Sequence, residues 1–383
     1  MRVRVTNRSR RSGLRGLLVV SAMVGTLGSP TRLAAQDGNP TELKPSGLLR
    51  TGFEFEPQSA NRNDGFIIYE ARLGLSGEVG FVFDYEFGIE YDRDDAGIDL
   101  LDAILSFPLG RSSVRVDLGG FRSPISREAT ADKSSLPLVE RSQSALALAP
   151  GRQVGIQFRG EALDARLHWA AGLFNGNGLR LENDDDSFLG TGRVAFNSVG
   201  DVEFFEDFVI EAGASLAATR DGSQRVLPVE VTASGPAVFQ TVDVVDFAGD
   251  RLIYGIDARL AYRGWSVAGE VLRTEYEFED GSPDAHAYGI TADLRYMLWG
   301  AFDLGVRYDR FRPAVASGAG DPEHNDFLAF GLGVAPGLYA QFGMQYAIGL
   351  DGSKRGVQEA LDGTNTAPAI TDGQFLMFLQ VAF

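Results

Sequence analysis

Residues 79–92 alternate with a period of two. Val79, Phe81, Phe83, Tyr85, Phe87, Ile89 and Tyr91 occupy every second position, and Gly80, Asp84, Glu86, Gly88, Glu90 and Asp92 fill most places between. Successive side chains of a β-strand point to opposite faces, so this stretch has one apolar face and one acidic face; a 3.6-residue period does not fit it. A strand this long exceeds what most soluble domains use. It matches a tilted strand crossing a bilayer, with lipid on one face and water on the other.

The pattern recurs along the chain. Residues 47–56 and 66–76 precede it, the latter with Ile67, Tyr69, Ala71, Leu73 and Leu75 on one face. Leu101, Ala103, Leu105 and Phe107 follow, then Val154, Ile156 and Phe158, then Ala165, Leu167, Trp169, Ala171 and Leu173. Leu252, Tyr254, Ile256, Ala258, Leu260 and Tyr262 repeat it clearly, as do Tyr288, Ile290, Ala292, Leu294 and Tyr296. The last repeat is Phe375, Met377, Leu379, Val381 and Phe383. About sixteen such segments are present.

Their connections sort by parity. Short ones fall at Gly77, which is read as a tight turn, and at residues 108–112, 160–163, 263–264, 298–300 and 335–337. Long ones fall at residues 123–151, 175–188, 219–250, 313–324 and 349–372. Outer-membrane barrels have short periplasmic turns and long external loops. The expected fold is therefore all-β: a transmembrane antiparallel up-and-down barrel of about sixteen strands. Residues 197–207 are the misfit, being long for a periplasmic turn.

Arg2, Arg4, Arg8, Arg10, Arg11 and Arg15 precede an apolar run at residues 17–27, and Leu33-Ala34-Ala35 offers a cleavage site. Residues 1–35 thus read as an export signal, 36–46 as a short periplasmic segment and 47–383 as the barrel, bound for a Gram-negative-type outer membrane. The formal charge of −17 becomes −24 without the seven arginines of residues 1–35. So acidic a chain does not bind nucleic acid through its phosphates. Past the N-terminus no apolar run is long enough for a transmembrane helix.

A soluble barrel would invert the alternation, apolar face inward. About eight strands leave an interior that side chains fill, whereas sixteen leave an aqueous channel. The polar face then lines water. Tyr91, Tyr262, Tyr296, Trp299 and Tyr308 suit interfacial girdles. The terminal Phe383, with apolar residues alternating before it, resembles the C-terminal signature by which such barrels are recognised for assembly.

The segment between the fifth and sixth strands reads Phe121-Arg122-Ser123-Pro124-Ile125-Ser126-Arg127-Glu128, then Leu136-Pro137-Leu138-Val139-Glu140-Arg141-Ser142, then Ala149-Pro150-Gly151-Arg152-Gln153-Val154-Gly155. With Ala71-Arg72-Leu73-Gly74-Leu75-Ser76-Gly77 before it and Ala170-Ala171-Gly172-Leu173-Phe174-Asn175-Gly176 after it, this resembles the phosphate-selective porin O and P family. The resemblance runs over residues 66–176 and returns at the C-terminus. It implies a trimeric sixteen-stranded porin whose third long loop folds into the lumen and narrows it. That loop carries Arg127, Glu128, Lys133, Glu140 and Arg141, with Arg122 and Arg152 at its ends. These seven are the candidate permeation path, and Arg72, Asp84, Glu86, Arg115 and Arg166 the candidate lumen wall.

Basic rings select anions and acidic rings cations, and arginine holds phosphate through paired hydrogen bonds. Here the lumen face is mixed: Arg50, Arg72, Arg115, Arg159, Arg166, Arg259, Arg295 and Arg307 share it with Glu54, Glu70, Asp84, Glu86, Asp117, Asp257, Glu270, Asp293 and Asp303. A wall network of paired charges explains most of these. The expected function is passive diffusion of small hydrophilic solutes or inorganic anions, with anion or phosphate preference as the finer reading. A non-transporting barrel serving as anchor or adhesion platform is the alternative. The expected partners are outer-membrane lipid and lipopolysaccharide. His168, His286 and His324 lie in no catalytic setting and no Gly-x-Ser-x-Gly elbow occurs, so no enzyme, cofactor or metal is expected.

Overall fold

The computed structural model describes residues 33–34, 40–55, 65–80, 82–91, 97–110, 112–132, 135–136, 138, 140–179, 183, 186–199, 208–232, 240–316, 324–334, 339–350 and 374–383. Sixteen antiparallel strands form a closed barrel. They are β1 Pro40–Phe55, β2 Gly65–Val79, β3 Phe83–Tyr91, β4 Ile98–Pro108, β5 Arg115–Arg122, β6 Arg152–Ala162, β7 Leu167–Phe174 and β8 Leu189–Val199. They continue as β9 Phe208–Thr232, β10 Gln240–Tyr262, β11 Trp265–Phe278, β12 Ala285–Leu298, β13 Phe302–Ala316, β14 Asn325–Val334, β15 Ala340–Leu350 and β16 Gln374–Ala382. Each strand pairs with its sequence neighbours, and β16 pairs with β1 to shut the ring. The expected export signal lies outside the described residues except Leu33 and Ala34, which pair with Thr41 and Pro40. β1 starts at Pro40, ahead of the expected residue 47.

The apolar phase faces outward. Leu73, Leu75, Phe87, Leu105, Ile256, Leu260, Leu294, Leu304 and Phe342 are all exposed. A sheet with this many exposed large apolar side chains requires a non-aqueous surround. Phe208 stacks on Tyr262, Trp265 lies against Tyr296 and Trp299 against Phe302. These six rings gather at the short-turn ends of β9 to β13, the place of an interfacial girdle.

The turn expected at Gly77 lies instead between Val79 and Phe83. Gly77 continues the ladder, opposite Leu43 and Tyr85. Gly80 takes φ +58, the left-handed conformation that glycine adopts freely. Val79 and Phe83 pair directly across this turn, so both point outward. The alternation therefore reads unbroken through the hairpin, and one apparent strand is the end of β2 plus all of β3.

Register shifts change phase within the wall, and two of them bear on the expected faces. Between Arg50 and Thr51 the partner steps from Glu70 to Ile68, leaving Tyr69 as the extra residue. Phe66 and Ile68 therefore face outward with Leu73 and Leu75, while the expected Ile67 and Tyr69 do not share that face. A second shift, at Gly88 and Ile89, makes Leu101 the extra residue of β4.

The expected loop at residues 219–250 is mostly a continuation of β9 and β10, which pair from Phe208 with Tyr262 up to Thr232 with Gln240. Its valines extend the strand pattern. Only residues 233–239 of it are outside the described structure. The arm folds back over the strands that follow it: Val229 pairs with Ala314 of β13, and the Tyr276 hydroxyl of β11 donates to the Val226 carbonyl at 3.0 Å.

The inward phase is not uniformly polar. Phe174, Ala217, Leu227, Phe247, Ile253, Leu272, Tyr276, Ala287 and Phe311 form one buried cluster with Phe121, Ile125 and Leu148. Leu148 belongs to α2, Gln143–Leu148; a shorter helix, α1, spans Arg127–Thr130. Both lie in the connection from β5 to β6. The cluster occupies the β7 to β13 side of the barrel, with Phe121 of β5 at its edge. Burying Phe311 completely means that Phe311→Ala should cost about 3–5 kcal/mol of unfolding free energy, measured by denaturant titration in detergent. Ile256→Ala, on the exposed outer face, should shift the same curve much less.

Candidate functional site

A water-accessible cavity of about 930 Å³ lies against β1 to β6, the side that the apolar cluster leaves open. Its charged lining comprises Arg72, Arg122, Arg152 and Arg159 against Asp84, Glu86, Asp102, Asp117 and Asp132, with Lys44 and Glu78. Apart from Asp132, which lies in the connection from β5 to β6, these groups come from alternate residues of adjacent strands, so they meet in rows across the wall.

Most of the arginines are paired. Arg152 holds Asp102 in a two-pronged contact, Nε to Oδ1 and Nη2 to Oδ2, both 3.0 Å. Arg159 Nε reaches Asp117 at 2.6 Å. Arg115 pairs with Asp84 and also donates to Ser106 Oγ at 3.1 Å. Arg72 pairs with Glu70 and lies 3.3 Å from Glu90. Arg295 pairs with Asp303, and Arg259 with Glu211. The expected wall network is thus present. Glu86 differs: its exposed side chain makes no hydrogen bond or ion pair among the described residues. Arg166 is not on the wall. It sits in the β6 to β7 turn with an exposed side chain, because Leu163, Asp164 and Ala165 all take positive φ and end the strand before it.

The segment from β5 to β6 is tied to the far wall at three places. Arg307 of β13, almost wholly buried, is the first. Its Nη1 lies 2.8 Å from Glu128 Oε1 and 3.1 Å from the Glu140 carbonyl, while Nε and Nη2 hold Asp293 at 2.7 and 3.2 Å. At the second, the first turn of α1 meets Glu270 of β11, whose Oε2 accepts from the Glu128 amide at 3.1 Å. At the third, Asp309 Oδ2 accepts from the Gln143 amide, where α2 begins, at 2.8 Å. A carboxylate at each helix start satisfies amides that the helix itself leaves unpaired. α2 also packs so close to β12 that a Cβ on Gly289 would overlap Ser144.

Within the segment Glu128 is buried and accepts from the Ser142 amide at 2.9 Å. Arg141 donates to the carbonyls of Glu128 and, at 2.7 Å, Ala131. Arg122 donates to the same Ala131 carbonyl at 2.9 Å. Burial lowers the Arg141 guanidinium below its usual range; Glu128 opposes this, while Arg152 and Arg72 add to it. Arg72, Arg122, Arg141 and Arg152 therefore form one basic group beside the cavity. Arg127 stands at the start of α1, half-buried, its Nε without a hydrogen-bond partner among the described residues. Lys133 lies outside the described residues. Sequence reasoning missed Asp102, Asp132 and Asp309. Asp102 follows the bulged Leu101, which hides its phase, and Asp309 joins the segment only through the closed ring.

OmpT of Vibrio cholerae has this fold, both as a loop L8 deletion mutant and in a trimer form, with TM-scores of 0.63 and 0.60. Each is 14% identical and covers 90% of this chain and 99% of its own. An anion-selective porin from Comamonas acidovorans aligns at a TM-score of 0.59 and 15% identity, covering 90% of this chain and all of its own. OmpF of Salmonella typhi, in complex with daunomycin, aligns at 0.62 and 12%, covering 92% and 100%. No curated protein matches by sequence. The sequence profile of one family matches residues 50–325, well over half the chain. With its closed barrel and outward apolar phase, the chain belongs to the phosphate-selective porin O and P family and is an outer-membrane channel protein.

Proposed function

We propose that the protein is a passive-diffusion porin for small hydrophilic solutes and inorganic ions. Its pore runs beside β1 to β6, and residues 123–151 fold into the barrel and narrow it. The observation that carries this is the pairing of an open, charged cavity on one side with three ties from the segment to the other. Arg72, Arg122 and Arg152 line the narrow part opposite Asp84, Glu86 and Asp102, while Glu128, Glu140 and Arg141 hold the loop in place. A homotrimer exported by residues 1–35 completes the reading.

Anion or phosphate preference rests on Arg122 and Arg141, which donate to carbonyls rather than to carboxylates. The nearby aspartates temper it, so the preference expected is modest. The reading as anchor or adhesion platform draws on the long arm of β9 and β10. Planar bilayers decide between them: stepwise conductance supports the porin, and its absence from folded protein would sink it.

Neutralising one or the other member of a pair should move selectivity in opposite directions. Asp102→Asn leaves Arg152 uncompensated and should shift the reversal potential in a KCl gradient toward anions; Arg152→Gln should shift it toward cations. A unit charge about 4 Å from an ion is worth about 1 kcal/mol in water, a several-fold change in local ion concentration. Freeing the loop should widen the pore. Gly289→Val displaces α2 and should raise single-channel conductance. Arg307→Gln leaves Glu128 and Asp293 buried without their cation and should cost about 3–5 kcal/mol of stability, with noisier conductance in the same recordings.

A further inference from the structure

Glu86 and Arg122 face the open cavity without an opposite charge of their own. Asp84, Asp102 and Asp117 are each held by an arginine. Glu86 is not: its exposed carboxylate lines the cavity and makes no hydrogen bond or ion pair among the described residues. Arg122, partly exposed, lines the same cavity. Its Nη1 donates to the carbonyls of Thr130 at 3.3 Å and Ala131 at 2.9 Å. Its Nε and Nη2 make no hydrogen bond, and no carboxylate pairs with it, among the described residues. Glu78, also unpaired there, stands at the mouth beside the turn from β2 to β3.

Register sets the spacing of the two groups. Glu86 of β3 lies opposite Ile104 of β4, and Ile104 opposite Gly119 of β5, three residues before Arg122. Two strand spacings of about 4.8 Å and three residues at about 3.3 Å put their backbones about 14 Å apart. The wall at the level of Glu86 is low, because a Cβ on Gly119 would overlap the Ala103 carbonyl and that position stays bare. Asp102, on the strand between, has both its oxygens taken up by Arg152. A free carboxylate and a partly free guanidinium thus stand apart on one water-filled wall, with room for a small solute between them.

We infer that Glu86 and Arg122 form a binding subsite for free amino acids, the α-ammonium docking on Glu86 and the α-carboxylate on Arg122. An inorganic cation or anion gains one of these contacts. A dipolar solute gains both for a single loss of translational freedom. Phosphate is served less well, because a dianion at Arg122 also meets the charge of Glu86. This inference rests on the porin reading and names a solute class for its pore.

Planar-bilayer recordings of the full chain at neutral pH test it with three solutes: L-glutamine, N-acetyl-L-glutamine, which lacks the cation, and L-glutamine α-amide, which lacks the anion. Glutamine should interrupt the current, read as added noise, at about one-tenth the concentration that either derivative needs, the weight of one charge-assisted contact. E86Q should abolish the preference over the N-acetyl derivative and keep that over the amide. R122Q should do the reverse, a crossed pattern that a merely structural role would not give. Equal action of the three solutes on the unsubstituted chain, or an E86Q variant that still prefers glutamine to its N-acetyl derivative, would overturn the assignment. Should R122Q disturb the segment that Arg122 holds, E86Q and the three-solute comparison decide. Stepwise conductance without discrimination among the solutes removes this assignment alone, whereas absence of conductance from folded protein removes the porin reading and this assignment with it.

Discussion

Arg307 is the point on which the two halves of this barrel depend. It is a wall residue of β13 that holds Asp293 on the adjacent strand, but two of its contacts leave the wall: Glu128 of α1 and the Glu140 carbonyl. A buried guanidinium is tolerable only when its donors are met by charge and by carbonyls. Satisfying Arg307 therefore obliges the connection from β5 to β6 to reach the far side. Glu270 and Asp309 repeat the arrangement with the roles exchanged, wall carboxylates meeting amides of the connection. Once the segment is held there, Ile125 and Leu148 fall among Phe247, Leu272 and Phe311, and the interior divides into a packed side and an open one.

That division separates two kinds of polar chemistry within one lumen. On the packed side, ionic groups are withdrawn from water and serve as fasteners, as Arg251 does with Asp221 at 2.7 Å. On the open side, the pair of Arg152 with Asp102 and the half-exposed Arg159 guanidinium stay in contact with water. There their Coulomb energy is small and ions in solution can compete for them. The same residue types thus build structure on one side and a conducting surface on the other.

The barrel was legible because its signal is a period of two repeated about sixteen times, with loop parity to give it direction. Phe83, Tyr85 and Phe87 or Ile256, Ala258 and Leu260 are read correctly from neighbours alone. The turn near Gly77 was misplaced because Val79 pairs with Phe83, so the pattern crosses the true turn without a break. Ile67 and Tyr69 were put on the wrong face because a bulge moves the phase where no glycine or proline marks it. The packed interior was harder still. Ile253, Leu272 and Phe311 are single apolar residues in the polar phase, and only the closed ring brings them together with Ala145 to Leu148. Of the loop residues, Glu128 and Arg141 were identified by their place in the motif. The partners of Glu128, which are Arg307 and Glu270, and of Gln143, which is Asp309, are more than a hundred positions away and could not be paired with them from sequence.

The hairpin between Val79 and Phe83 limits how this chain can vary. Val79 and Phe83 must stay opposite one another, because a slip of one residue between β2 and β3 would send Asp84 and Glu86 into lipid and Phe83, Tyr85 and Phe87 into water. Length variation at this rim is therefore accommodated in the turn, which takes no part in the ladder, or at a bulge such as those at Tyr69 and Leu101.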